Sequence, residues 1–81
     1  MLSVCQIKAA RAFLGWSAIE LAKNSAVGIA TIRRYELQDG IPSAHASVLK
    51  AIKLCFETYG IEFTGDPLKN PGVTLHLDKT K

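Results

Sequence analysis

The sequence contains little cysteine and little histidine, the residues that most often bind metal ions or cross-link small domains. It has two of each, Cys5 and Cys55, and His45 and His76, and none of the CxxC or Cys/His spacings of a metal site. We therefore expect no metal ion. Both cysteines fall at positions of helical apolar periodicity, which predicts small, reduced core residues.

A long hydrophobic run is also lacking. No stretch approaches the roughly 20 apolar residues that cross a bilayer. The beginning of the chain lacks the basic start and the apolar continuation of a signal peptide. These two absences lead us to expect a cytoplasmic protein that makes no contact with a membrane.

The residue combinations that enzymes use are missing as well. We find no nucleophile–base pair, no glycine-rich phosphate loop and no pair of carboxylates at a working spacing. We therefore expect neither catalysis nor a cofactor. The charge excess is mild, since ten Lys and Arg against seven Asp and Glu give +3. That excess permits an anionic partner without requiring one.

What the chain does contain is enough apolar sequence for one small core. Its 81 residues are 48% hydrophobic, which excludes a disordered chain and predicts one domain. Apolar periodicity and capping residues predict four helices, at about residues 4–14, 18–24, 29–37 and 44–59. Their predicted N-caps are Ser3, Ser17, Gly28 and Ser43. The predicted inward-facing residues are Val4, Ile7, Ala10, Leu14, Leu21, Ala22, Ile32, Tyr35, Val48, Leu49, Ile52, Cys55, Phe56 and Tyr59. Trp16 is expected to pack between the first two helices.

After residue 60 the period changes from helical to alternating. Residues 61–64 and 73–77 alternate, with a turn-rich connection between them, which predicts a β-hairpin. Val73, Leu75 and Leu77 would cover the fourth helix. An isolated hairpin is marginal in water, so it must pack on the helices or pair with a second copy. We therefore divide the chain into a helical domain, residues 1–60, and a hairpin extension, residues 61–81.

Residues 16–36 are the most informative segment. They predict two short helices joined by a tight turn, and the second helix carries the adjacent arginines Arg33 and Arg34. A steeply angled helix pair with an exposed, cationic second helix is the geometry that places a helix in the major groove of DNA.

The same segment and its flanks resemble the Cro and lambda-repressor-type helix-turn-helix family, also called the Xre family, over about residues 4–59. The matching positions are Arg11, Leu21, Ala22, Val27, Ile32, Glu36 and Pro42. The resemblance implies a mainly α, compact four-helix lambda-repressor-like domain, here followed by a C-terminal β-hairpin. It also implies a small transcriptional regulator of the repressor type that binds double-stranded DNA, and a structural ion pair between Arg11 and Glu36.

Four positions depart from the family pattern, namely Ala18, Ala26, Gly28 and Gln38. Ala26 stands where glycine is commonest, so a left-handed backbone there would cost about 1 kcal/mol. Ala18 and Gly28 remove side chains that touch phosphates in relatives.

The position of each residue in the helix-turn-helix predicts which part of the DNA it contacts. The base-facing residues would be Gly28, Ile29, Ala30 and Arg33. Arginine can bond guanine O6 and N7 together, whereas Ile29 and Ala30 can only pack on a thymine methyl group. The phosphate-facing residues would be Ser17, Lys23, Thr31, Arg34, Gln38 and Ser43, with backbone amides at Ser17 and Ser43 contributing.

Two hypotheses of function remain open. The first is a DNA-binding homodimer on paired half-sites, with the hairpin as the candidate dimer contact. The second is a protein-interaction module on the same fold, such as a toxin-neutralising antitoxin or a phage adaptor. Ala18, Ile29 and Ala30 slightly favour the second hypothesis, because they make the exposed face less polar.

Overall fold

A computed structural model of the chain describes residues 1–79, and it is mainly helical with one antiparallel hairpin. The helices are α1 (Val4–Leu14), α2 (Ala18–Ser25), α3 (Ile29–Glu36) and α4 (Ala46–Thr58). The strands are β1 (Ile61–Thr64) and β2 (Gly72–Leu75), followed by a 3-10 turn at Leu77–Lys79. The four predicted helices and the hairpin are therefore confirmed. Residues 80–81 of the predicted hairpin extension lie outside the described part of the chain.

Local sequence signals account for the two ends of α1. At its start, the backbone amide of Ser3 donates to Oε1 of Gln6 at 3.1 Å, as in a capping box. At its end, Gly15 adopts the left-handed conformation (φ 68°), which glycine accepts without the steric cost of a side chain.

One hydrophobic core joins all four helices to the hairpin. Its buried members are Leu2, Ile7, Ala10, Leu21, Ile32, Tyr35, Leu49, Ile52, Cys55, Phe56 and Ile61. Most of them lie at the helical positions that the periodicity predicted. Leu2 and Ile61 were not among those predictions, and both bring segments outside the helices into the core.

Trp16, in the loop between α1 and α2, makes its aromatic contacts at the end of α4. Its ring stacks on Phe56 with centroids 5.8 Å apart and meets the edge of Tyr59 at 4.8 Å. These contacts place the Trp16 ring against Phe56 of α4 and against Tyr59, the C-cap of that helix. Its predicted place between α1 and α2 stays a prediction.

Helix α4 begins two residues later than predicted. Its N-cap is His45, not Ser43, and the imidazole makes no capping hydrogen bond. The amide of Ser43 donates instead to Oε1 of Gln38 at 2.8 Å. Ser43 therefore makes a contact within the loop after α3, and the first helical residue is Ala46.

The two strands of the hairpin pack mainly on different helices. Strand β1 contacts α4, while β2 packs on α1 and not chiefly on α4 as predicted. The register pairs Ile61 with Leu75 and Thr64 with Gly72. Leu77 was predicted to continue β2, but it lies in the 3-10 turn and is exposed. Strand β1 begins at Ile61, just after Tyr59 caps α4, so the strand ladder ends at the Ile61–Leu75 pair.

A buried glutamine fastens the hairpin to α1. The side-chain Nε2 of Gln6 donates to the carbonyl of Gly72 at 3.2 Å and approaches that of Thr64 at 3.5 Å. Gln6 is only 2% exposed, so these bonds satisfy a polar group inside the fold. The hairpin is consequently part of the same folded unit as the helices.

The two cysteines differ in environment. Cys55 is buried in the core as predicted, and burial raises the pKa of its thiol. Cys5 is exposed, so its prediction as a core residue is wrong. It follows the buried Val4 on α1 and precedes the buried Gln6, and the helical turn points it outward between them.

Candidate nucleic-acid interface

Helix α2 is fixed at its start by a reciprocal capping box. The amide of Glu20 donates to Oγ of Ser17 at 3.2 Å, and the amide of Ser17 donates to Oε1 of Glu20 at 2.9 Å. The prediction of this box is confirmed. The first two helical amides, of Ala18 and Ile19, have no intrahelical acceptor and face outward from the start of the helix.

A strained alanine makes the turn between α2 and α3. Ala26 has φ 61°, and within residues 1–79 it is the one residue other than glycine with a positive φ. Next to it, Oγ of Ser25 donates to the carbonyl of Leu21 at 2.7 Å and accepts from the amide of Val27 at 3.3 Å. Val27 packs against the core and holds the turn in place.

Helix α3 has one buried face and one cationic face. Ile32 and Tyr35 are buried in the core, as predicted. Ala30, Arg33 and Arg34 are exposed on the opposite side. Among the described residues, no carboxylate forms an ion pair with Arg33 or Arg34. Arg34 lies 5.6 Å from the ring of Tyr35, close enough for a cation–π contact.

The remaining arginine of the chain, Arg11, is neutralised. Arg11 binds Glu36 through two parallel bonds of 2.7 Å, from Nε to Oε2 and from Nη2 to Oε1. Its Nη1 also donates to the carbonyl of Trp16 at 2.9 Å. The predicted ion pair is therefore present, and it joins α1 and the α1–α2 loop to the end of α3.

Of the predicted base-facing residues, the structure places all four at one end or on one side of α3. Gly28 is its N-cap, Ile29 and Ala30 are its first two residues, and Arg33 follows Ile29 by one turn. Ile29 is half-buried, and the other three are exposed. The structure thus brings the four together on the start and the outer face of the helix.

The predicted phosphate-facing residues are not equally available. Lys23 and Arg34 are exposed, Thr31 is half-buried, and Ser17 is exposed but has its amide bound to Glu20. Gln38 and Ser43 are bonded to each other, and Nε2 of Gln38 also approaches the carbonyl of Arg34 at 3.5 Å. The structure gives this last pair a role inside the loop, so their contact with phosphate stays a prediction.

A shallow cleft lies beside Arg34 at the start of α4. It has a volume of about 340 Å³ and is lined by Arg34, Tyr35, Ser43, Ala44 and His45. Because α4 begins at Ala46, its free amides lie beyond His45 and not at Ser43 as predicted. The cleft therefore combines a guanidinium and an imidazole next to the positive end of a helix.

A second, apolar cleft lies between α2 and the start of α3. Ile19, Ala22, Val27, Gly28 and Ile29 line it together with Ala26 and Lys23, and its volume is about 520 Å³. Ile19 is 52% exposed. Sequence reasoning did not single out Ile19. The signal was available, because Ile19, Ala22, Lys23 and Ala26 follow the spacing of one helix face.

Other kinds of site are not indicated within residues 1–79. No group of three or more His, Cys, Asp or Glu residues there could hold a metal ion. None of the described helices combines the length and the hydropathy of a membrane span.

Comparison of the chain with protein families, with curated proteins and with solved structures found no match.

Proposed function

We propose that the chain is a sequence-specific double-stranded DNA-binding protein that acts as a small transcriptional regulator of the repressor type. In this proposal α2 and α3 form a helix-turn-helix, and α3 lies in the major groove. The observation that supports it best is the exposure of Arg33 and Arg34 without a carboxylate partner among the described residues, while Arg11 is neutralised by Glu36.

The fold supports the same proposal. Four helices, a short turn between α2 and α3 and the Arg11–Glu36 pair all agree with a lambda-repressor-like domain. We include that fold assignment in the proposal. The hairpin would be an addition packed on the helices, away from the α2–α3 turn.

The proposed contacts follow from the geometry. Arg33, one turn after Ile29, would bind guanine, and Arg34 would bind a phosphate near the start of α4. Lys23 and the free amides of Ala18 and Ile19 would lie beside the backbone of the other strand. Ser43 and Gln38 contribute least to this proposal, because they are bonded to each other.

We also propose that the protein binds DNA as a homodimer, because a single helix-turn-helix buries little surface on a duplex. The inner face of the hairpin packs on α1 and α4, so only its edges and its outer face remain for a second copy. Open strand edges carry unpaired backbone groups that favour pairing with another strand.

A protein-interaction module on the same fold is the second candidate. The apolar cleft with the exposed Ile19, and Leu37 at 88% exposure next to the end of α3, support it. Apolar surface of this kind next to the cationic face would fit a protein such as a toxin or a phage protein. Co-purification of a stoichiometric protein partner that does not bind DNA would favour this candidate.

Selection from randomised duplexes at low salt tests the DNA proposal. We expect one short pseudo-palindrome to be enriched, with an affinity that falls steeply as the salt concentration rises. Failure to enrich any duplex, or binding that salt does not weaken, would contradict the proposal.

Arginine variants then test the assignment of the contacts. Arg33→Ala should lose about 1–3 kcal/mol of discrimination between the selected and the random duplex. Arg34→Ala should weaken both duplexes alike and lower the salt slope by about one. Lys69→Ala, which removes an equal charge from the hairpin loop, is the matched control and should change neither. An unchanged preference in Arg33→Ala shows that another residue reads the bases.

A further inference from the structure

The first turn of α3 has a chemistry that restricts what it can recognise. Gly28, Ile29 and Ala30 carry no side-chain donor or acceptor, and these are the residues at the exposed start of the helix. A surface of this kind cannot read a base by hydrogen bonding through side chains. Discrimination there has to come from apolar contact.

The major groove offers one apolar group for such a contact, the methyl on C5 of a pyrimidine. Thymine carries it, and so does 5-methylcytosine, at the same position of the groove. We propose that the first turn of α3 binds pyrimidine C5-methyl groups, with Ile29 as the residue that contacts them. This inference rests on the proposed DNA binding and names the chemical group that the site selects.

Burial and neighbours make Ile29 the contact residue. Its side chain is half-buried and lines the apolar cleft together with Val27 and Ala22. Gly28 and Ala30 on either side are too small to shield it. The space beside Gly28 is open, since a Cβ there would meet only Oγ1 of Thr31, at 4.0 Å.

The positive charges beside the apolar cleft favour DNA over an uncharged apolar ligand. Lys23 lines the cleft on the α2 side, and Arg33 follows Ile29 one turn along α3. An apolar centre between cations complements a groove that presents methyl groups between two phosphate backbones. Arg33 would then bind a guanine next to the methylated pyrimidine.

Removing one methyl group at a time from the DNA tests the inference without altering the protein. In the selected duplex, each thymine is replaced in turn by uracil, which removes the methyl and keeps the base pairing. We expect about a fourfold loss of affinity at each position that Ile29 contacts, the effect of one buried methyl group. Equal affinity for the thymine and uracil duplexes at every position overturns the inference and leaves DNA binding intact.

Measuring Ile29→Ala against both duplexes tests whether Ile29 is the residue that contacts the methyl group. Ile29→Ala should lower the affinity for the thymine duplex and leave that for the uracil duplex nearly unchanged, so the ratio between the two falls toward one. Any loss of folding would weaken both duplexes equally and leave the ratio unchanged. Leu54→Ala removes an exposed leucine from α4 and is the matched control. A thymine-to-uracil ratio that survives Ile29→Ala means that another group reads the methyl, which overturns the assignment.

A third comparison distinguishes the two sources of the methyl group. At the sensitive position, a T·A pair is replaced by C·G with and without a methyl on C5. Recovery of affinity by 5-methylcytosine over cytosine supports recognition of the methyl from either source, whereas no recovery restricts the site to thymine. If no duplex is ever enriched, the proposed DNA binding itself has failed. The inference would also be overturned if Ile29→Ala lost a bound protein partner whose binding does not depend on DNA.

Discussion

At the scale of single residues, strain at Ala26 marks the place where the chain turns from α2 into α3. Its φ of 61° is a conformation that an L side chain adopts at a cost of about 1 kcal/mol or more. Glycine avoids that cost but gains entropy in the unfolded chain, which offsets part of the benefit. The turn is therefore held by its surroundings, above all by Val27 in the core.

Ala26→Gly should accordingly stabilise the protein by about 0.5–1 kcal/mol. Urea unfolding followed by circular dichroism measures this. Ala12→Gly, on an exposed position of α1 with ordinary helical geometry, is the control and should destabilise by a similar amount. Destabilisation by both variants would show that the left-handed conformation at Ala26 does not persist in solution.

Single residues also show where sequence reasoning reaches its limit. The caps at Ser17 and Gly15 act within three or four residues, so local pattern predicts them. Arg11 and Glu36 are 25 residues apart, and no local period connects them. Their pairing was predicted only through the family resemblance. Cys5 was misplaced because a small residue next to an apolar stripe gives no clear signal of which way it faces.

At the scale of elements, the link between α1 and the hairpin was the feature that periodicity could not predict. Gln6 is polar and lies outside the apolar stripe, yet it is buried because β2 covers it. Its partners Thr64 and Gly72 are 58 and 66 residues away. A Cβ at Gly72 would meet the side chain of Thr64, its partner in the opposite strand, so a larger residue there would require that side chain to move.

Gln6→Leu should therefore destabilise the protein by about 2 kcal/mol, although leucine has a similar size and is more apolar. The reason is that the substitution leaves the buried amide of Ser3, and the partly buried carbonyls of Thr64 and Gly72, without their partner. Urea unfolding measures the loss, and hydrogen exchange should show the hairpin amides losing protection first. Lys8→Leu on the exposed side of α1 is the control. Equal stability of Gln6→Leu and the wild type would mean that the hairpin is held by apolar contacts alone.

The predicted start of α4 was also wrong, and this error belongs to the scale of elements as well. Ser43 satisfies every local rule for an N-cap, being a serine after a proline and before an apolar periodic run. The side chain of Gln38 reaches across the loop and takes its amide. The structure has Ala46 as the first helical residue, and the bond between Gln38 and Ser43 is a loop contact that local pattern does not predict.

At the scale of the whole molecule, the hairpin packs on the helices and shares one core with them. Ile61 is 3% exposed and belongs to the same core as the helices, while Phe63, Val73 and Leu75 pack against that core. Deleting the hairpin would therefore expose Phe56 and Gln6, and not simply remove a dimer contact. A search for the dimer contact needs point substitutions on the outer edges of the strands.

We accordingly expect a chain that ends at residue 60 not to fold cooperatively, and Cys55 provides the measurement. Its thiol is buried and its pKa is raised, so a thiol reagent should react with it slowly in the full chain, through opening of the core. A Cys5→Ser background removes the exposed thiol. In the truncated chain Cys55 should react at the rate of an unfolded peptide, whereas Leu77→Ser, which changes an exposed residue beyond β2, should leave the slow rate intact. Slow labelling of the truncated chain together with a cooperative unfolding transition would show that residues 1–60 form a domain without the hairpin, and that the hairpin is free to serve another purpose.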